Sequence, residues 1–158
     1  MEIERKWLVE KSKIPYDFEK LEKFRIEQAY ISFLPTIRIR SINKEKFVLT
    51  IKSRSGTDSF LSRKEAEIEI SREEYDLLMK KASGRIIEKT RYLVRREDGL
   101  LEEIDIFEGE FSGLCYLEIE FESEEKAKDF PSPEWVEKDV TADKKFTNGS
   151  LARNGMPI

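Results

Sequence analysis

Histidine is absent from this chain. Without it there is no imidazole general base, no histidine-activated nucleophile and no histidine metal ligand, which leaves carboxylates, Lys, Arg and Tyr for any chemistry. Cysteine occurs once, at Cys115 in the run GLCYLEIEF, so no disulfide can form within the chain. The residue reads as a small core side chain in a protein suited to the reducing cytoplasm. Glycine is also scarce, with 7 residues, and none lies in a G-x-x-x-x-G-K-S/T loop. A phosphate would therefore be gripped by side chains and not by a glycine-rich backbone cradle. No apolar run approaches the roughly 18 residues of a membrane span. The acidic N-terminus is not a signal peptide. Net positive charge is missing too: 29 Lys and Arg face 33 Asp and Glu, a net charge of -4, although 39% of residues are charged. That balance argues against a nucleic-acid binder, and no membrane partner is expected.

What the chain does contain is alternation. EIERKWLV (2–9), EQAYISF (27–33), TIRIRSI (36–42), KFVLTIK (46–52), SRKEAEIEI (62–70), EKTRYLVR (88–95), LEEIDIF (101–107) and CYLEIEFE (115–122) each repeat with period two, the signature of strands. Eight such segments in 158 residues predict a barrel or sandwich. Ser71 followed by Glu74 has the form of a capping box, and Tyr75, Leu78, Met79 and Ala82 then recur at helical spacing before Gly84. A shorter helix is expected from Ser123 to Phe130, ended by Pro131 and Pro133, and a third after Pro15. With no internal repeat and no Gly- or Ser-rich linker, residues 1–158 read as a single domain.

The polar phase of the strands is sorted by sign. Arg38 and Arg40, Lys52, and Lys89 and Arg91 make three strands basic, whereas Glu2 and Glu4, Glu103 and Asp105, and Glu118 and Glu120 make three acidic. The other phase is apolar, as in Ile37 and Ile39 or Leu117, Ile119 and Phe121. An antiparallel sheet with one wet face would also alternate, but a merely solvated face has no reason to sort its charges, because like charges two apart on one face repel.

Side chains two apart on a strand are about 6.6 Å apart and neighbouring strands about 4.8 Å, so carboxylates from two strands can converge on one hard cation. Oxygen ligands suit Mg²⁺ or Mn²⁺ better than zinc. Paired Arg and Lys suit phosphate oxygens. So many ions cannot be held dry, so a face turned inward must line a wet, ligand-filled cavity. These residues together point to a metal-dependent site for a polyanionic phosphate compound.

Glu2-Ile3-Glu4-Arg5-Lys6 matches the E-x-E-x-K signature of the CYTH domain, the triphosphate tunnel metalloenzymes. QAYIS around Tyr30, RIR at 38–40, LTIK ending at Lys52, SRKEAEIEI, EKTRY, EIDIFEG, LEIEF and VTADKKFTNGSLA resemble further family segments, in family order and across essentially the whole chain. The chain is most similar to the compact bacterial members regarded as inorganic triphosphatases. This resemblance implies a mainly β fold: an eight-stranded antiparallel closed barrel, forming a tunnel, with a few peripheral helices. It implies metal ligation by Glu2, Glu4, Glu65, Glu67, Asp105, Glu118 and Glu120. It implies phosphate binding by Lys6, Arg38, Arg40, Lys52, Arg63 and Arg91, with Lys145 also within reach, and catalysis by Tyr30 with Lys89. The cofactor would be Mg²⁺ or Mn²⁺, and tripolyphosphate would be cleaved to pyrophosphate and orthophosphate.

Adenylate cyclase, thiamine or nucleoside triphosphatase, and a non-catalytic polyphosphate-binding module remain alternatives on the same fold. Phe146 stands where the family usually carries an aromatic hydroxyl, so no polar role is expected of it. Asp143 is a metal-site neighbour or a turn residue. Glu69 and Glu103 sit near strand ends and are expected to be exposed, and Trp7 should pack on the outside. An exposed apolar exterior would serve a homodimer.

Overall fold

The computed structural model describes residues 2–53 and 62–157, except the side chains of Ser62 and Arg63. The strands are β1 (Glu2–Leu8), β2 (Glu22–Ser32), β3 (Thr36–Ile42), β4 (Lys46–Ser53) and β5 (Ser62–Ile70). After helix α1 (Arg72–Met79) come β6 (Ser83–Arg95), β7 (Leu101–Phe107) and β8 (Cys115–Glu120). Helix α2 (Glu124–Asp129), the short β9 (Lys138–Asp139) and helix α3 (Asn148–Asn154) complete the chain. All eight expected strands are present. The sheet runs β5-β4-β3-β2-β6-β7-β8-β1-β9, with β1 also meeting β5. That last contact joins Glu2 to Arg63 and Ile3 to Ser62, so the seam of the ring is a short bridge and not a continuous ladder.

Period-two alternation decides which face goes where. The charged phase turns into the ring, while the apolar phase packs outward beneath helices and loops. Trp7, Ile104, Leu117 and Ile119 lie fully buried in one outer cluster, with Ala127 of α2 and Trp135 against it. Trp7 is thus outer packing, as expected, and Cys115 is a buried core residue. A second cluster places α1 over β2, β3 and β4 through Tyr75, Ala29, Ile39 and Phe47. Arg5 lies on this outer phase: it donates to the carbonyls of Ala127 (3.0 Å) and Phe130, pairs with Asp139 at 2.6 Å, and rests over the Trp7 ring. Ile51 and Ile68 stay exposed on the outer face of β4 and β5.

Several boundaries differ from those the sequence suggests. The capping box forms, with Ser71 Oγ accepting from the Glu74 amide at 3.0 Å and Glu74 Oε1 accepting from the Ser71 amide at 2.8 Å. The helix nevertheless ends at Met79, and Ala82 keeps its helical-looking spacing because it packs on the same cluster from the following turn. β2 and β6 start earlier than their alternation suggests, since Glu22–Lys23 and Ser83–Gly84 extend the ladders. The expected helix after Pro15 is instead two 3-10 turns, Lys11–Lys13 and Phe18–Lys20. Helix α3 is not anticipated, because only Leu151 and Ala152 are buried along it and they give no amphipathic stripe.

α3 closes against the start of β6 at Gly84. This residue has φ +74°, and a Cβ there would collide with the carbonyl of Ala152 and touch Phe33 at 3.0 Å. Gly99 also has positive φ (+89°) but open space around it. Gly84→Ala is therefore expected to lower unfolding free energy by about 1–3 kcal/mol more than Gly99→Ala, the usual range for overpacking. Urea denaturation of the two variants measures the difference, and equal losses would contradict the close approach.

Candidate active site

The inward faces surround a cavity of about 260 Å³. Around the ring the strand order β4-β3-β2-β6 is followed by β7-β8-β1-β5. The first arc supplies Lys52, Arg38 and Arg40, Tyr30, and Lys89 and Arg91; the second supplies Glu103, Glu118 and Glu120, Glu2 and Glu4, and Glu65 and Glu67. The sorting of charge by strand in the sequence thus becomes two facing walls, one basic and one acidic. Among the described residues Lys6 is the cation that lines the acidic arc: its ammonium lies 3.4 Å from Glu118 and donates to the Phe146 carbonyl at 3.3 Å, over the Tyr116 ring.

At the two borders the walls are pinned by ion pairs. Between β6 and β7, Arg91 forks onto Asp105 at 2.7 and 2.9 Å and reaches Glu103 at 2.8 Å. Between β4 and β5, Lys52 lies 3.8 Å from Glu65 and 3.9 Å from Glu2. Hydrogen-bonding capacity is left over on both walls, including at the β4–β5 border. Nε of buried Arg38 on the basic wall and Oε2 of Glu65 on the acidic wall have no hydrogen-bond partner.

Proton affinities follow this layout. Burial, then the Glu118 charge, push the Glu4 carboxyl up to about 7 against the pull of Lys6. Glu2 is raised by burial and by a hydrogen bond shared with Glu65. Burial also carries Glu103 to about 7, with Arg91 opposing. On the other side, burial and the neighbouring guanidinium of Arg38 lower Lys52. Arg40 is lowered by burial and by Arg38 and Arg91, yet a guanidinium keeps its charge at neutral pH. Burial lowers Lys89 to about 7, with Asp105 working against the shift. Asp105 itself is penalised by burial, but Arg91 and Lys89 hold it well below the usual carboxylate range.

Most of the expected residues come together here, with three exceptions. Asp105 is fully buried behind the cavity and spends its oxygens on Arg91 and on Lys89 at 2.7 Å, so it orders the basic wall and is not part of the acidic one. Lys145 carries a half-exposed side chain beside Asp143 and does not line the cavity, because the 3-10 turn Lys144–Phe146 points it away. The Arg63 side chain lies outside the described residues. Asp143 does both things considered for it: it lines the cavity and caps the Lys145 amide at 3.2 Å. Glu69 is exposed as expected. Glu103, expected to be exposed, instead lines the cavity, because Arg91 draws it inward.

Gln28 and Asn148 are the neutral residues that sequence reasoning missed. Gln28, fully buried, accepts from Arg40 Nε at 2.8 Å and donates to Asn148 Oδ1 at 3.1 Å. The signal for Gln28 was present in its phase, two residues before Tyr30. Asn148 had none, since its place depends on α3.

The CYTH domain family matches residues 1–139. The chain belongs to the CYTH family. A protein of Nitrosomonas europaea named inorganic triphosphatase is 39% identical over 155 residues, 96% of each chain. One from Acetivibrio thermocellus with the same name is 37% identical over 130 residues, 80% of this chain and 79% of that one. A crystal structure of an inorganic triphosphatase superposes with a TM-score of 0.69 at 34% identity, covering 96% of this chain and 94% of the other.

The raised carboxyls of this CYTH chain set a pH dependence with a definite sign. A carboxyl whose folded pKa lies above its unfolded one binds more protons when folded, so its contribution to stability is lost as pH rises through that window. For Glu4 the window runs from 4.5 to about 7. In EDTA, the wild type is expected to lose thermal stability relative to Glu4→Gln as pH climbs across that range. Parallel melting-temperature profiles for the two proteins would contradict it.

Proposed function

We propose that this protein hydrolyses inorganic triphosphate to pyrophosphate and orthophosphate with the help of a divalent cation. The observation that carries the proposal is the division of one cavity into a basic and an acidic wall, each with a buried polar atom that has no hydrogen-bond partner, Arg38 Nε and Glu65 Oε2, the latter 3.8 Å from the Lys52 ammonium. Two relatives bearing the name inorganic triphosphatase, aligned over most of this chain, support it.

The acidic wall fits a hard cation. Its carboxylates are desolvated, mutually repelling and raised in pKa at Glu2 and Glu4, which is the state that a bound cation relieves. Among the described residues no three carboxylates form a ready-made cage. Mg²⁺ and similar ions are ordinarily held by one or two carboxylates plus substrate phosphates, which Glu2, Glu4 and Glu65 suffice to provide. Such a cation, Mg²⁺ or Mn²⁺, would neutralise phosphate charge and supply an activated water.

The chain's own residues do the rest. Arg38, Arg40 and Arg91 hold equatorial phosphate oxygens, where charge spreads as the bond to the leaving pyrophosphate breaks. Lys52, between Glu2 and Glu65, couples the grip on phosphate to the acidic wall. Lys89 donates a proton-bearing contact from the basic wall, and the Tyr30 hydroxyl helps orient the terminal phosphate. Arg91 keeps its charge at neutral pH, because Asp105 and Glu103 raise its basicity beyond the cost of burial.

Glu4→Gln and Arg40→Ala test this directly. Each is expected to reduce phosphate release from tripolyphosphate by roughly a hundredfold or more, the scale of losing one transition-state contact. Circular dichroism must show both variants folded. Release within a few-fold of wild type in either variant would remove the corresponding wall from the mechanism.

A further inference from the structure

Lys89 is wholly buried, and in its protonated form the ammonium has three N–H groups to place. One goes to Asp105 at 2.7 Å and one to Asn148 Oδ1 at 3.0 Å. We propose that Asn148 is the positioning residue for Lys89: by accepting a hydrogen bond from the ammonium on the C-terminal side, it leaves the third N–H directed into the cavity for a phosphate oxygen.

Three observations carry this assignment. First, the Asn148 side chain is not spent on its own helix, because the cap of α3 is made by Thr147 Oγ1, which accepts from the Ser150 amide at 3.1 Å. Second, Asn148 Oδ1 is held from the other side by Gln28 Nε2 at 3.1 Å, and Gln28 in turn holds Arg40 at 2.8 Å. One neutral oxygen thus ties the β6 cation to the β3 cation through β2 and fixes their relative position. Third, neutrality suits the position. An aspartate would offer the same oxygen but place a second carboxylate beside Lys89, where Asp105 already sits, and would weaken the basic wall's hold on a polyanion.

This inference rests on the proposed triphosphatase activity; tripolyphosphate affinity in EDTA, measured by calorimetry on each variant, separates the two. Asn148→Ala is expected to weaken binding even if the wild type does not hydrolyse, and unchanged affinity would overturn the role of Asn148 alone. Steady-state hydrolysis of tripolyphosphate is measured for full-length wild type, Lys89→Met, Asn148→Ala, the double variant and Asn148→Asp. Asn148→Ala is expected to lower kcat/KM about tenfold, the scale of one hydrogen bond to a charged group. In the Lys89→Met background the same change is expected to cost no more than about threefold, the part that reaches Arg40 through Gln28, because the rest acts through the missing ammonium. Asn148→Asp keeps the acceptor and is expected to raise KM.

A purely structural asparagine would instead cost its full factor in both backgrounds, which would overturn the proposal. So would an Asn148→Ala enzyme within twofold of wild type. If Asn148→Ala does not fold, Asn148→Asp decides, and an unchanged KM there overturns the assignment. Wild-type turnover in Lys89→Met would remove Lys89 from the site altogether. An impaired Lys89→Met beside a silent Asn148→Ala would refute only the role of Asn148.

Discussion

Repulsion between like charges on neighbouring strands is the constraint on which the structure turns. Side chains on adjacent strands stand about 5 Å apart, and in a partly desolvated interior that proximity is costly for charges of one sign. A sheet could relieve it by alternating signs from strand to strand. This barrel instead gathers cations on β4, β3 and β6, on either side of the neutral inward face of β2, and carboxylates on β7, β8, β1 and β5. Among the described residues opposite charges therefore meet mainly at the two borders, with Lys6 beside Glu118 inside the acidic wall. Inside each wall the repulsion persists and adds to the effect of burial in raising Glu4 and lowering Lys52. Such a cavity is stabilised by a ligand that is itself divided, anionic toward one wall and cationic toward the other.

The apolar phase makes that tension tolerable. Trp7, Leu117 and Ile119 alternate with Lys6, Glu118 and Glu120 on the same strands, so each inward charge stands between outward side chains locked into the outer core. The borders add rigidity where the walls meet, through Arg91 with Asp105 and Glu103, and Lys89 with Asp105. Buried pairs of this kind are a weak source of stability but a strong source of position, since their geometry is fixed by several hydrogen bonds at once. At one end of the cavity the C-terminal segment contributes Thr147, Asn148 and Gly149 to the lining, seated by the close approach of α3 to Gly84.

Much of this was legible from residue order. Glu2, Glu4 and Lys6 announce an inward face because β1 is a strand, and strands impose period two on their side chains. Sorting of sign by strand was equally plain, but not that the basic strands would lie side by side. That depends on β2 pairing with β6 across 50 intervening residues, a choice that no local pattern encodes. Asp105 was misplaced for a related reason: its phase is right, but cross-strand pairing with Arg91 decides that its oxygens face a neighbour and not the cavity. Glu103 was misjudged by the same token, drawn in by the same arginine. Asn148 belongs to a helix too short to show periodicity, and its function exists only because tertiary packing brings that helix to Gln28 and Lys89.

The central claim is that the two walls act on one substrate, holding triphosphate from the basic side while the acidic side holds its cation. Phosphorus NMR of tripolyphosphate incubated with the protein, in Mg²⁺ or Mn²⁺ and again in EDTA, tests it most directly, with ATP, thiamine triphosphate and pyrophosphate run alongside. The account predicts loss of the tripolyphosphate signals with growth of orthophosphate and pyrophosphate in equal amounts, only when the cation is present, and faster than any change in the other compounds. Unchanged tripolyphosphate under every condition, or equal hydrolysis in EDTA, would contradict it.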